Sequence, residues 1–209
     1  MMRLLLASSS PARAATLRAA GIEPLLQPAD LDEDALLRDA AAASGSLTVT
    51  DAVLLLARAK AEAVAATAAG RSADVLVGCD SLLDLDGDPM GKPGTADRAR
   101  ARWLRMRGRS GVLRTGHWVR TRDGRTAGAV SATTVHFADV TPEEIDAYVA
   151  TGEPLQVAGA FTLDGLGGAF VTGVDGDPHG VVGISLPLLR ELLITLGVRW
   201  TDLWHPVRP

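Results

Sequence analysis

The chain has 209 residues, 47% of them hydrophobic and 22% charged, with a formal net charge of −4. That is the balance of a soluble globular protein with room for a sizeable core, and it argues against disorder and against the basic face that a general nucleic-acid grip needs. The only cysteine, Cys79, excludes an intramolecular disulfide and a multi-cysteine zinc site, and a reducing cytoplasm is the natural compartment.

In chain order, the apolar stretch Leu4 to Ala7 is too short for an export signal and reads as the core of a first buried strand, Arg3 to Ala7. No run approaches the ~20 apolar residues of a membrane span. Ser8-Ser9-Ser10 forms a loop, and Pro11 opens a helix reaching Ala20, since serine caps and proline has no donor to waste. Leu25 to Pro28 suits a short strand before the acidic run Asp30 to Asp34. Ala35 to Ser46 reads as a helix ending in a mobile connection. Thr50-Asp51 starts the longest helix, with Val53, Leu54, Ala57, Ala61 and Val64 at helical spacing and Gly70 as its end.

Val75 to Val77 reads as a buried strand. Gly78 and Cys79 thin its backbone, and Asp80 arrives where it should end. Asp84, Asp86 and Asp88 crowd a turn, Gly91-Lys92-Pro93 makes a constrained loop, and an arginine-rich helix runs from about Thr95 to Met106. Residues 111–121 and 126–137 read as a hairpin through Asp123-Gly124. Thr141-Pro142-Glu143-Glu144 opens a helix ending at Thr151-Gly152. A glycine-rich third, Gly159 to Gly183, leads to the helix Leu186 to Leu196. Strands and helices alternate without a long linker, so the expected class is α/β, one domain over 1–209 with a partly antiparallel sheet.

Several of these residues suggest chemistry. A carboxylate at the carboxyl end of a buried strand, Asp80, stands where open α/β sheets build their sites, and Lys92 adds a cation. The serine loop before a helix N-terminus suits phosphate, with Arg13 as a charged fork. A plain capped helix with a solvated arginine accounts for the same residues. Lys60 lies on the apolar face of its helix and needs either a partner or an escape to solvent. Asp84-Leu85-Asp86-Gly87 resembles the aspartate motif of haloacid-dehalogenase-type phosphatases, although Asp88-Pro89 follows in place of threonine and a hairpin turn explains it better. The histidines His117, His136, His179 and His205 show no ligand spacing. Cys79 reads as a small strand residue.

Together the segments resemble the Maf family of nucleoside triphosphate pyrophosphatases. Leu5-Leu6-Ala7-Ser8-Ser9-Ser10-Pro11 with Arg13, Leu56-Ala57-Arg58-Ala59-Lys60-Ala61, Gly78-Cys79-Asp80-Ser81, Gly91-Lys92-Pro93, and Thr151-Gly152-Glu153-Pro154 with Ala158-Gly159-Ala160-Phe161 carry the resemblance. It implies a two-lobed Maf/ITPase-like fold, with a mixed, twisted sheet flanked by helices and a nucleotide in a central cleft. The implied reaction hydrolyses a nucleoside triphosphate to the monophosphate and pyrophosphate with a divalent cation, Mg2+ or Mn2+.

By matched position Asp80 is the general base, able to act even with an unshifted pKa. Ser8, Arg13, Lys60 and Lys92 hold phosphates, and Asp32 or Glu33 helps Asp80 with the metal. Ala12, Ser81 and Asp164 replace the arginine, threonine and glutamine tied to base selection, so pyrimidine preference does not transfer. Gln156-Val157 replaces an Asp-Lys pair, and Gly111 a common histidine. The expected partner is a nucleoside triphosphate, with no nucleic acid and no membrane; a homodimer is suggested by the resemblance alone. The alternative is a nucleotide-binding regulator of cell division that has lost most catalysis. A dehalogenase-type phosphatase would instead release orthophosphate and depend on Asp84.

Overall fold

Residues 2–205 are described by a computed structural model. Its elements in chain order are β1 (Leu4–Leu6), α1 (Pro11–Ala19), β2 (Leu25–Leu26), α2 (Glu33–Ser44), α3 (Val49–Ala65), α4 (Ala68–Ser72), β3 (Val75–Leu85) and β4 (Asp88–Met90). There follow α5 (Ala96–Met106), β5 (Ser110–Thr121), β6 (Thr126–Phe137), α6 (Pro142–Ala150), β7 (Val171–Asp175), α7 (Pro178–Val182) and α8 (Leu186–Thr195). One mixed seven-stranded sheet runs in the order β2-β1-β3-β5-β6-β7, with β4 added to β3. The pairings of β1 with β2 and β3 are parallel, and the others are antiparallel. The α/β class with a mixed sheet is therefore as expected.

Local chemistry sets most helix starts. The side chains of Ser10, Thr48, Thr95 and Thr141 each accept a backbone N–H at the head of α1, α3, α5 and α6, and Thr141 with Glu144 closes a capping box. The turn Asp86-Gly87, with φ of 56° and 85°, joins β3 to β4 as a two-residue hairpin in which both residues take the left-handed conformation that such turns need.

Three expectations are corrected. Gly70 does not end α3, which stops at Ala65; it lies inside α4, where a Cβ would come 2.0 Å from the Val64 carbonyl. The α2 helix begins at Glu33, two residues before the expected start at Ala35, and takes in the end of the acidic run. Most consequentially, the strand does not end at Asp80: β3 continues to Leu85. Gly78, read as thinning the backbone, is a close-approach point. A Cβ on Gly78 would lie 2.1 Å from the Ala57 carbonyl, and one on Gly116 of β5 would lie 2.2 Å from the Val53 carbonyl. The α3 backbone thus rests directly on β3 and β5, as interior strand glycines permit.

Apolar side chains gather in two main clusters. Leu4, Leu6, Leu17, Val75, Val77, Ile184 and Leu189 fill one. Leu83, Leu85, Trp103, Met106, Phe137, Ile145 and Phe161 fill the other. Trp103 makes edge-on contacts with Phe137, Tyr148 and Phe170 at centroid distances of 5.8, 5.6 and 5.7 Å. Each contributes roughly 0.5–1.5 kcal/mol beyond area burial. The long strand β3 runs from the first cluster into the second, which gives the molecule two lobes, and Asp80 lies at the crossing.

Candidate active site

What opens the site is a gap in the sheet. On one edge of β3 the partner β1 ends with Leu6 opposite Val77, and the antiparallel β4 ends with Met90 opposite Leu83. Between them, Gly78 to Leu82 has no strand neighbour on that side, while β5 pairs it throughout on the other. Asp80 and Ser81 sit in this window. The expected placement at a strand's carboxyl end is therefore replaced by an edge left open in mid-strand. The window faces a cleft of about 1060 Å³, lined among others by Ser8, Ala12, Arg13, Glu33, Lys60 and Lys92.

Asp80 is 8% exposed. Burial raises its pKa above the usual carboxylate value, against the opposing charges of Lys60 and Arg13. Asp80 could serve as a base even with an unshifted pKa, and the upward shift makes it a stronger proton acceptor. Lys60, carried over the window by α3, lies 2.5 Å from Asp80 Oδ1 and 2.9 Å from Glu33 Oε1. The ammonium expected to meet phosphate is therefore held between two carboxylates.

Arg13 is tied as well. Its Nε–H donates to the Gly183 carbonyl at 2.7 Å, and Nη1 donates to Ser8 Oγ at 3.2 Å and the Cys79 carbonyl at 2.9 Å. Nη2 donates to Ser81 Oγ at 3.0 Å. Four of its five donors are engaged, so the guanidinium braces the window and offers a ligand charge and a single N–H. Ser81 Oγ also lies 2.8 Å from Thr115 Oγ1, which donates to the Gly180 carbonyl.

The remaining sequence candidates separate clearly. Ala12, Ser81 and Asp164 line the cleft, as do Gln156 and Val157. Asp32 does not; its Oδ1 accepts the Ala35 N–H at 2.8 Å as the cap of α2, and Glu33 is the acidic residue that reaches Lys60. Lys92 is exposed on the cleft wall. Asp84 accepts the Gly87 N–H and pairs with Arg114 at 3.0 Å, while Asp86 and Asp88 pair with Arg109 and Arg105. All three serve the hairpin. Cys79 is fully buried, and burial pushes its thiol up to about 11, which leaves it inert.

Sequence reasoning missed other residues. Arg98 and Arg102 of α5 line the cleft; their i, i+4 spacing was visible, but nothing local said which face looks inward. Glu153 Oε1 accepts from Tyr148 Oη at 2.9 Å, Thr162 Oγ1 at 2.5 Å and the Gly167 N–H at 3.1 Å, and Oε2 accepts the Leu166 N–H at 3.1 Å. One carboxylate thereby anchors the loop that carries Thr162, Leu163 and Asp164 along the cleft. His117, fully buried, donates from Nδ1 to the Thr115 carbonyl and accepts the Ser185 N–H at Nε2, tying β5 to the head of α8.

As for a metal, no group of three or more His, Cys, Asp or Glu side chains gathers among the described residues. Glu33 and Asp80 offer two hard-oxygen ligands on either side of Lys60. That donor set fits a magnesium-type cation whose other ligands are waters and substrate phosphates, which is how such cations are usually held.

Comparison with known proteins gives the family. Residues 3–196 match the family described as Maf-like protein. The chain is 57% identical to the nucleoside triphosphate pyrophosphatase of Nocardia farcinica and 52% identical to that of Leifsonia xyli subsp. xyli. These alignments cover 98% of this chain and 98% and 97% of the relatives, respectively. Among solved structures, the Staphylococcus aureus Ham1 protein overlaps 66% of this chain and 72% of its own at 13% identity and a TM-score of 0.41. With its serine loop, its α3 lysine and its β3 aspartate meeting at one open strand edge, the chain belongs to the Maf family.

Proposed function

We propose that this chain hydrolyses a nucleoside triphosphate to the monophosphate and pyrophosphate. The observation that carries the reading is a buried carboxylate of raised pKa, Asp80, on an open strand edge inside a cation-lined cleft. Water attacks the α-phosphorus, the bond from that phosphorus to the oxygen bridging to the β-phosphate breaks, and pyrophosphate leaves. Asp80 accepts the proton of the attacking water. Lys60 keeps Asp80 ionised until substrate arrives and then lies within reach of the phosphate charge that develops. Arg13 holds the serine loop and the β3 window in one geometry, so that donors aimed at the phosphates cost no reorganisation during reaction.

A divalent cation, Mg2+ or Mn2+, held by Glu33 and Asp80 with phosphate oxygens, would supply charge neutralisation. Ala12, Ser81 and Asp164 belong to the wall where the base is read, and Asp164, an exposed acceptor, distinguishes this wall from one built on glutamine. A cytoplasmic location and a homodimer complete the reading; light scattering of the purified chain checks the latter. No helix of the described residues is long and apolar enough to cross a membrane.

The test is a panel of ordinary and modified triphosphates with magnesium or manganese, assayed separately for pyrophosphate and orthophosphate. Pyrophosphate release is expected, and orthophosphate release with dependence on Asp84 would overturn the reaction. The neutral Val157 on the cleft wall favours a second reading, a nucleotide-binding regulator of cell division. Tight nucleotide binding with no turnover across the panel would select it.

A further inference from the structure

The α5 helix carries four arginines, and the fold treats them in two ways. Arg100 pairs with Asp146 at 2.5 Å and Arg105 with Asp88 at 2.8 Å. Arg98 and Arg102, one turn apart on the same face, are the two that line the cleft, and neither has an ion-pair partner among the described residues. Asp88, whose charge also reaches Arg102, is engaged by Arg105.

Two guanidiniums one turn apart repel, and burial together with Arg98 lowers the pKa of Arg102. That arrangement is a standing cost to the free protein. The Arg102 side chain is nonetheless fixed, because Nη1 donates to the Gly91 carbonyl. The bond orients the guanidinium beside the Gly91-Lys92-Pro93 loop, whose Lys92 is also exposed to the cleft and without an ion-pair partner among the described residues. Three cations thus line the cleft, none of them in an ion pair among the described residues. Across the same cleft, the charge of Lys60 is already taken by Glu33 and Asp80, and most Arg13 donors are spent within the protein.

We infer that Arg98 and Arg102 form, with Lys92, the subsite that grips the two distal phosphates of the substrate and holds pyrophosphate as it leaves. The inference rests on the triphosphate reading above and gives its leaving group a seat. Guanidinium forks match phosphate oxygens bidentately and cannot lose their charge at working pH. Charge builds on the bridging oxygen and the distal phosphates as the bond to the α-phosphorus breaks, so cations there stabilise the transition state more than the ground state.

The test measures binding of inorganic pyrophosphate and of a nucleoside monophosphate by calorimetry, beside steady-state kinetics, for Arg98→Gln, Arg102→Lys and the double Arg98→Gln/Arg102→Gln. Pyrophosphate binding is expected to weaken about tenfold in Arg98→Gln and on the order of a hundredfold in the double variant, as for lost charge-assisted bonds. Monophosphate binding should stay within about twofold, and the salt dependence of pyrophosphate binding should flatten. Arg102→Lys keeps the charge and loses the fork, so an intermediate loss is expected. Arg98 is exposed, so its variant decides the matter if the double variant fails to fold. Unchanged pyrophosphate affinity in Arg98→Gln, equal weakening of both ligands, or no pyrophosphate binding by the wild type would overturn the subsite. A wild type that binds pyrophosphate but releases none from any triphosphate would sink the hydrolase reading and leave the subsite standing.

Discussion

Gly78→Ala is the substitution that most sharply couples the packing of this fold to its chemistry. The new Cβ would sit 2.1 Å from the Ala57 carbonyl oxygen and 2.9 Å from the Ala61 N. Non-bonded carbon contacts settle near 3.5 Å, so α3 must lift by about 1 Å. Lys60 lies on that helix between the two clashing residues, 2.5 Å from Asp80, and a lift of that size breaks the pair. Overpacking of this kind costs about 1–3 kcal/mol, or roughly 2–12 °C in Tm for a chain of this size. A displacement of about 1 Å at a catalytic pair costs on the order of a hundredfold in rate. The assay is Tm by calorimetry beside kcat/KM for pyrophosphate release. Gly173→Ala is the control, since its Cβ would meet only His136 at 3.7 Å, and both of its values should stay near wild type. If Gly78→Ala kept kcat/KM unchanged in the folded protein, the position of α3 would not be what places Lys60 on Asp80.

Three other outcomes are expected. His117 is fully buried and held neutral, its pKa lowered by burial from 6.5 to about 4. The stability this contributes is complete above pH 6.5 and is lost as pH falls from 6.5 towards 4, by about 3 kcal/mol; urea unfolding of wild type against His117→Gln across that window should show a steeper acid loss in the wild type, and parallel curves would refute it. In Lys60→Met the first charge opposing the raised pKa of Asp80 is gone. Because activity needs ionised Asp80 and falls as pH drops through its pKa, the acid limb of kcat/KM should move to higher pH, and a stationary limb would show that another group titrates. Glu153→Gln weakens the anchor of the 162–167 loop, so KM should rise by about tenfold, the equivalent of one charge-assisted hydrogen bond, with kcat nearly unchanged; an unaltered KM would detach the loop from substrate binding.

What the sequence discloses here is what is decided within a few residues. Ser10, Thr95 and Thr141 cap where they should because a hydroxyl before a helix satisfies a donor three residues on. Asp86-Gly87 turns because the pair tolerates positive φ. The residues that meet at the site, Ser8, Arg13, Lys60, Asp80 and Ser81, were also named, chiefly through the family resemblance. Their relations were not legible. Nothing near Asp80 says that β1 stops opposite Val77 and that the pairing with β4 reaches only as far as Leu83, so a mid-strand window looked like a strand end. Gly78 could be read as thinning the backbone but not as a contact point, because its real neighbour, the α3 backbone at Ala57, lies about twenty residues away in sequence. Arg98 and Arg102 could not be told from Arg100 and Arg105, because Asp146 and Asp88, which neutralise the latter two, are tertiary partners. Asp32 and Glu33 were left as alternatives, and helix geometry separates them: one caps α2 and the other reaches Lys60.

The most direct measurement is single-turnover pyrophosphate release by Asp80→Asn, beside its Tm. The folded-state pKa of Asp80 lies above its ordinary value, so at neutral pH the ionised carboxylate detracts from stability, and Asn removes that cost while Lys60 keeps Glu33 at 2.9 Å. The expected result is a loss of rate on the order of 10²- to 10⁴-fold, the range of a lost general base, with Tm at or above that of the wild type. Pyrophosphate release near the wild-type rate from a folded Asp80→Asn protein would contradict the assignment of Asp80 as the base.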